Sequence, residues 1–288
     1  MSRWAAGLDG VAMARGGWNF FIPERDARLS EEMREKLIDS ALAAIDGTLT
    51  TRIRRSRHAE TWLERLGDSR ASDAYFKVLD PLRGLNRFRS IFKRRRVTHV
   101  ASISERLRAD GIGVPETLLL GVEQRGGREV IVTARIDGFN LVLHLKRANL
   151  ASRRVVLRAL GAEIARLHAA GYLHGDLTPF NVFVTRDARP GFVFIDHERT
   201  RRTILSRLAR PRMRNLVQLG HLNVAGVTNT DRMRVWCGYS AAFPKRHERA
   251  ERRRVAAMLR VRIAQDRKVG ATACVGASFE PRQEARGS

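Results

Sequence analysis

The spacing of apolar residues changes period midway along this chain, and that change divides it. From Ser30, the segment SEEMREKLIDSALAAID places Met33, Leu37, Ile38, Leu42 and Ile45 at helical intervals, with acids in the first turn and Gly47 past the end. Three short runs follow: LTTRIRR near 49–55, AETWLERL at 59–66 and SDAYFKVLD at 72–80. Basic or Gly/Asp-containing turns separate them, which predicts an antiparallel meander. Val97, Val100, Ile103 and Leu107 mark one face of a helix from about Val97 to Asp110, stopped by Gly111 and Pro115. ETLLLGVEQ and REVIVTARI, joined by RGG, then predict a hairpin. Three strands, a helix and two strands make a small α+β lobe. The residues before about 30 hold scattered Gly, two Trp and the Phe20-Phe21 pair, and read as an irregular arm.

Beyond Gly138 the pattern is mainly helical. SRRVVLRALGAEIARLHAAG lines up Val156, Leu157, Leu160, Ile164 and Leu167 on one face, with Gly171 past the end. NVFVT and GFVFIDH read as two short strands around the turn RDARP, and helical spacing returns at 211–221, 231–243 and 247–266. The Gly/Ala/Ser-rich stretch 269–288 is expected to be disordered. The expected organisation is therefore an arm and helix (1–47), a β-rich lobe (48–137), a mainly helical lobe (138–268) and a tail (269–288).

Charge changes this picture more than size does. The 288 residues carry a formal net charge of +24, a field that attracts nucleic acid, anionic lipid or phosphorylated glycolipid. Seven Lys/Arg and no acid fall in 83–96, seven Arg and no acid in 199–214, and ten Lys/Arg against three acids in 245–268. Aromatic residues are not interleaved with the basic residues of 199–214 or 245–268, which disfavours single-strand stacking there and makes nucleic acid the least suitable partner. In the last run Val255, Met258, Leu259 and Ile263 form a helical stripe, suiting either a lobe helix with a solvated face or an interfacial helix on anionic lipid. Cys237 and Cys274 have no metal-ligand spacing and fit a reducing compartment. No apolar run reaches a membrane span, and the opening MSRWAAGLDGVAMARGGW lacks a signal-peptide core. The expectation is a cytosolic chain whose contact with any membrane is peripheral.

The residues that carry chemistry converge on Tyr172-Leu-His-Gly-Asp-Leu-Thr-Pro-Phe-Asn181, between an amphipathic helix and a strand, and on Asp196 at the end of the next strand. Phosphoryl transfer from ATP needs a carboxylate to orient the acceptor hydroxyl and take its proton. It also needs hard oxygen ligands for Mg²⁺ and a Lys on the nonreacting phosphates. Asp176 supplies the base, Asn181 a metal-ligating amide, Asp196 the metal carboxylate and Lys77, between Phe76 and Val78, the cation. Lys77 lies 99 residues before Asp176, and Asp196 lies 20 after it, the order a two-lobed kinase requires.

These segments resemble the lipopolysaccharide kinase family of the protein-kinase-like superfamily. The resemblance spans roughly 48–243 and is carried by YFKVLD, GIGVPETLLLG, LHAAGYLHGDLTPFNVFV, FVFIDHERTRR, and LVQLGHL followed by TNTDRMRVWCGY. It implies an α+β, protein-kinase-like two-lobed fold using ATP and Mg²⁺, with Asp176 as base, Asn181 and Asp196 as metal ligands, Lys77 and Asn181 at the nucleotide, and His174 as a structural residue of the catalytic loop. It further implies an anionic glycolipid acceptor, phosphorylated on a Kdo or heptose hydroxyl, and work on the cytosolic face of the inner membrane. A protein or small-molecule kinase, and a catalytically weak binding module, are the alternatives on the same scaffold.

Three departures stand out. No GxGxxG joins the first strands, where the turn is RSRHAE, so phosphate cover must come from backbone or Arg. Asp196 is followed by His197-Glu198 rather than Phe-Gly. The helix near 97–110 offers no Glu in register with Lys77, since the expected position falls on Val100 and Glu105 lies on another face.

Overall fold

A computed structural model describes residues 9–23, 29–56, 58–67, 73–81, 95–187, 191–204, 208–220, 227–242 and 248–268. The basic run at 83–94, Arg207 and the tail expected to be disordered at 269–288 lie outside the described residues.

The first described element is a hairpin, β1 (Gly10–Arg15) and β2 (Trp18–Pro23), which takes the place of the expected irregular arm over residues 10–23. Gly16 and Gly17 form its two-residue turn at φ 57° and 78°, a conformation glycine adopts without a Cβ clash. The signal was present as a Gly-Gly pair between two runs. It was obscured because β2 is buried on both faces and so lacks alternation: Trp18, Phe20 and Ile22 face one core, and Phe21 faces another.

Helix α1 (Glu31–Asp46) starts where Ser30 Oγ accepts the Met33 amide at 3.2 Å, and ends at Gly47 in the left-handed region. The meander then forms as β3 (Arg52–Arg55), β4 (Ala59–Arg65) and β5 (Asp73–Leu79). Helix α2 (Arg96–Ala109) follows, then the hairpin β6 (Thr117–Glu123) and β7 (Glu129–Ala134). Together the strands make one antiparallel sheet in the order β1-β2-β6-β7-β5-β4-β3, seven strands rather than the five expected. Leu37, Ile38 and Ala41 of α1 pack with Phe76, Val130 and Val132 on one face. Val97, Val100 and Ala101 of α2 pack with Leu79, Leu120 and Ile131 on the other.

The second half carries β8 (Gly138–Asn140), α3 (Leu141–Arg147), α4 (Leu150–Ala169), β9 (Tyr172–Leu173), β10 (Val182–Thr185), β11 (Phe192–Phe194), β12 (Arg201–Arg202), α5 (Ala209–Gly220), α6 (Asn229–Ser240) and α7 (Glu248–Lys268). Leu157, Leu160 and Ile164 of α4 are fully buried, as the helical stripe predicts. Helices α4 and α6 meet backbone to backbone at two glycines. A Cβ at Gly161 would lie 2.1 Å from the Val235 carbonyl oxygen, and one at Gly238 would lie 1.9 Å from that of Arg158. Any larger residue at either position must push the helices apart, which ties the glycines to this packing. Small sheets β11-β10-β8 and β12-β9 present their connecting loops beside β5 and α2.

Helix α7 packs against α5 through its expected stripe. Val255 joins the helical core, Leu259 lies against Gly220, and Glu251 reaches Arg212 at 3.6 Å. Arg249, Arg253 and Arg260 are exposed on its other side. Among the described residues no helix is long and apolar enough to cross a membrane.

Candidate active site

Lys77 sits in mid-strand on β5, opposite Thr61 of β4 and Ile131 of β7, so its backbone is held by strands on both sides. Its ammonium lies 2.9 Å from Asp196 Oδ1 and 2.7 Å from Glu198 Oε1. Burial works to lower its pKa, but the two carboxylates outweigh burial and raise it. Asp196 shows the reciprocal effect: burial raises its carboxyl pKa, and Lys77 more than offsets that, leaving it below the usual range.

Asp196 is held at φ 66°, ψ 57°, the one non-glycine residue at positive φ among the described residues. This costs of order 1–3 kcal/mol and persists only where the surroundings dictate it. They do so here through the short 3₁₀ turn His197–Arg199. His197 is buried, and its Nε2 donates to the Phe194 carbonyl at 2.7 Å while Nδ1 lies 3.1 Å from Thr200 Oγ1. Thr200 Oγ1 in turn donates to the His174 carbonyl at 3.1 Å. Burial pushes the His197 imidazole down to about 3 and that of His174 to about 4, so both are neutral near pH 7.

His174 is completely buried and braces two segments at once. Its Nε2 donates to the Ile195 carbonyl at 3.0 Å, and its Nδ1 accepts the Asp176 amide at 3.4 Å. The imidazole thereby spaces the loop bearing Asp176 from the strand end bearing Asp196. Gly175 makes that spacing possible, since at φ 78° a Cβ would meet the Arg199 carbonyl oxygen at 2.6 Å. Asn181, at the end of the turn Pro179–Asn181, donates Nδ2 to the Asp176 carbonyl at 2.9 Å and accepts the Ile195 amide on its own carbonyl at 3.0 Å. The Asp176 carboxyl is half-buried, and its pKa is raised by burial first and by Asp196 second, against the pull of Arg199, Arg54 and Lys77.

The structure thus brings Lys77, His174, Asp176, Asn181 and Asp196 to one place, and adds residues that the sequence reading had passed over. Glu198 touches Lys77, while Glu105 is exposed and pairs with Arg108 of its own helix at 2.8 Å. From α2 it is His99 that faces the site, with Nε2 donating to the Thr200 carbonyl at 2.8 Å. Asn215 of α5 accepts the His174 amide at 3.1 Å and His168 Nε2 at 3.2 Å. Gln218, one turn further on, holds the loop at Gly175 and Leu177. The Arg-rich segment after Asp196 only partly forms the rim that its position suggests. Arg199 lies beside Gly175, but β12 pairs antiparallel with β9 and leads away from Asp176, and Arg202 lies over the Tyr172 ring at 5.7 Å. Arg54, on the hairpin whose turn lacks the glycine pattern, completes the positive surroundings.

A site with an ammonium, three carboxylates and a loop amide suits Mg²⁺ and phosphate, since Asp196 and Asn181 carry hard oxygens. Among the described residues no group of three or more His, Cys, Asp or Glu could hold a metal ion by itself, so phosphate and water oxygens would have to complete the shell.

Over 101 residues the chain is 30% identical to KEOPS complex subunit Bud32 of Pyrococcus abyssi, covering 35% of this chain and 44% of that protein. The chain thus spans less than half the length of that curated relative. The structure resembles that of WaaP, solved in complex with acyl carrier protein, with a TM-score of 0.54 and 15% identity over 77% of this chain and 90% of that one. Its sheet-rich N-terminal part and helical C-terminal part are those of a protein-kinase-like fold. Residues 83–239, just over half of the chain, match the lipopolysaccharide kinase (Kdo/WaaP) family, and the chain belongs to that family.

Proposed function

We propose that the chain transfers the γ-phosphate of ATP to a sugar hydroxyl, on Kdo or heptose, of the lipopolysaccharide inner core. The observation that carries this reading is the convergence of Lys77, Asp196 and Asp176 from three separate elements, with the Asp176 carboxyl raised and the Lys77 ammonium paired.

Asp176 orients the acceptor hydroxyl and takes its proton as the new O–P bond forms and the bond from the γ-phosphorus to the bridging oxygen breaks, releasing ADP. Its raised pKa makes it a stronger base than an ordinary carboxylate. Lys77 holds the nonreacting phosphates. Asp196 and Asn181 would hold Mg²⁺, which neutralises charge on the phosphates when bound. Arg54 and Arg199 offset the repulsion between Asp176 and an acceptor that itself carries phosphate or carboxylate. The exposed arginines of α7 suit peripheral contact with anionic lipid, where such an acceptor resides.

A binding module without turnover is the weaker reading, because Lys77 has a glutamate partner after all. Label transfer from ATP to Kdo-containing lipid A, to a basic protein and to an aminoglycoside, run side by side, tests the proposal. Label on the glycolipid is the expected result. Label on protein or aminoglycoside alone would leave the kinase and remove this substrate.

A further inference from the structure

Lys77 has two acidic partners, and both come from one three-residue segment. Asp196 Oδ1 lies at 2.9 Å and Glu198 Oε1 at 2.7 Å. If Asp196 ligates Mg²⁺, as the proposed function has it, its oxygens turn to the metal and one acid remains for Lys77. Protein kinases take that acid from the helix of the small lobe. Here α2 cannot supply it: Glu105 is exposed and paired with Arg108. The side chain that α2 turns to the site is His99, bonded to the Thr200 backbone.

We propose that Glu198 is the residue that positions Lys77 on the nucleotide phosphates, and that α2 serves only to brace the segment carrying it. This rests on the nucleotide site of the proposed function but not on its acceptor.

The surroundings of Glu198 support a fixed post. It sits in the middle of the turn His197–Arg199, between His197 and Thr200, both buried. The His197 ring is bonded to the Phe194 carbonyl, the Thr200 amide returns to the His197 carbonyl at 3.1 Å, and the Thr200 hydroxyl is bonded to His174. On the facing side Lys77 is set by sheet pairing with β4 and β7. The distance from Lys77 to its glutamate therefore depends on how the sheet sits on this turn. In a kinase with a helix glutamate, swinging the helix outward breaks the pair; here that movement would break the His99–Thr200 bond first. Lys77 and its anchor thus lie on the sheet and the turn, and α2 reaches the pair only through the Thr200 backbone.

The test is equilibrium binding of ADP and ATP by the full chain, in EDTA and in Mg²⁺, with melting curves to verify folding. Glu198→Gln is expected to weaken binding roughly tenfold in Mg²⁺, the scale of one charge-assisted hydrogen bond, and less in EDTA, where Asp196 still pairs with Lys77. Glu198→Asp should recover part of that loss, and Glu105→Gln should match the wild type. Because Glu198 acts through Lys77, Lys77→Met with Glu198→Gln should bind no worse than Lys77→Met alone. Binding by Glu198→Gln equal to the wild type in Mg²⁺ would overturn the proposal. Additive losses in the double variant would overturn it too. Absence of nucleotide binding by the wild type would remove the proposed function with it, whereas wild-type binding with an unaffected Glu198→Gln removes only the anchor.

Discussion

Gln218 clamps the peptide groups on both sides of Asp176. Its Nε2 donates to the Gly175 carbonyl at 3.1 Å, and its Oε1 accepts the Leu177 amide at 3.3 Å and Asn215 Nδ2 at 3.1 Å. The rotation of the Asp176 backbone is thus set from α5. Gln218→Leu should lower kcat about tenfold, since small misplacements of a reacting group are costly, while leaving the KM for ATP nearly unchanged. Steady-state kinetics in both substrates separates this from a folding defect, which would reduce active enzyme without splitting kcat from KM.

Asp196 and Asp176 should fail in different ways. Asp196→Ala is expected to abolish Mg-dependent nucleotide binding, because it removes both the proposed metal oxygen and a partner of Lys77. Asp176→Asn should bind nucleotide normally and lose turnover, because the amide cannot accept the hydroxyl proton. Calorimetry with Mg·ATP compares them, and equal loss of affinity in both would refute this division.

Acid should weaken the fold before it reaches the carboxylates. His168 is buried between Tyr239 and Asn215, and burial lowers its pKa to about 4, against about 6.5 in an unfolded chain. Between those values the unfolded state binds the extra proton. The stability is complete above about pH 6.5 and is lost as pH falls toward 4, at up to about 1.4 kcal/mol per pH unit for this group. Urea midpoints at pH 7.5, 6, 5 and 4.5 should decline across the series, and His168→Gln should flatten the decline while starting lower at pH 7.5.

The charge beside the proposed base should act on the acceptor. Arg199 is exposed and lies against Gly175, so Arg199→Glu should raise the acceptor KM about tenfold and the ATP KM far less. Arg202→Glu should do little, since that side chain lies over Tyr172. Kinetics with Kdo-containing lipid A checks the ranking, and an equal effect of the two variants contradicts it.

Helix α7 offers a membrane test that spares the fold. Truncating it would uncover α5, so charge removal is the better probe. Replacing Arg249, Arg253 and Arg260 with Gln should weaken binding to anionic vesicles by about 1 kcal/mol each, an effect that fades as salt rises. Vesicle binding equal to the wild type would confine α7 to packing.

Much of this architecture was legible because it obeys local rules. The meander, α1, α2 and α4 follow from periodicity and capping signals, with Ser30 and Gly47 bounding α1 as expected. Lys77, Asp176, Asn181 and Asp196 could be named because their spacing encodes a loop and two strands. The hairpin β1–β2 was missed because a strand buried on both faces shows no alternation. Glu198 was missed for a different reason. A helix glutamate is the partner that a strand lysine of this kind leads one to expect, whereas here the acid lies 121 residues away, two positions past Asp196. Asn215 and Gln218 act through backbone groups of a distant loop, and no periodicity reports such a bond.

The pairing of β2 with β6 has a consequence for how the protein is made. Trp18 faces Glu123 and Phe21 faces Leu120, so the partner strand leaves the ribosome about a hundred residues after the hairpin. At roughly 5–20 residues per second, that interval lasts about 5–20 s. Throughout it Phe21 waits beside an unpaired edge, because α1 covers only the opposite face, that of Trp18, Phe20 and Ile22. Nascent chains crowded on one message are then most vulnerable to sticking together at their first strands, far from the residues that later handle phosphate.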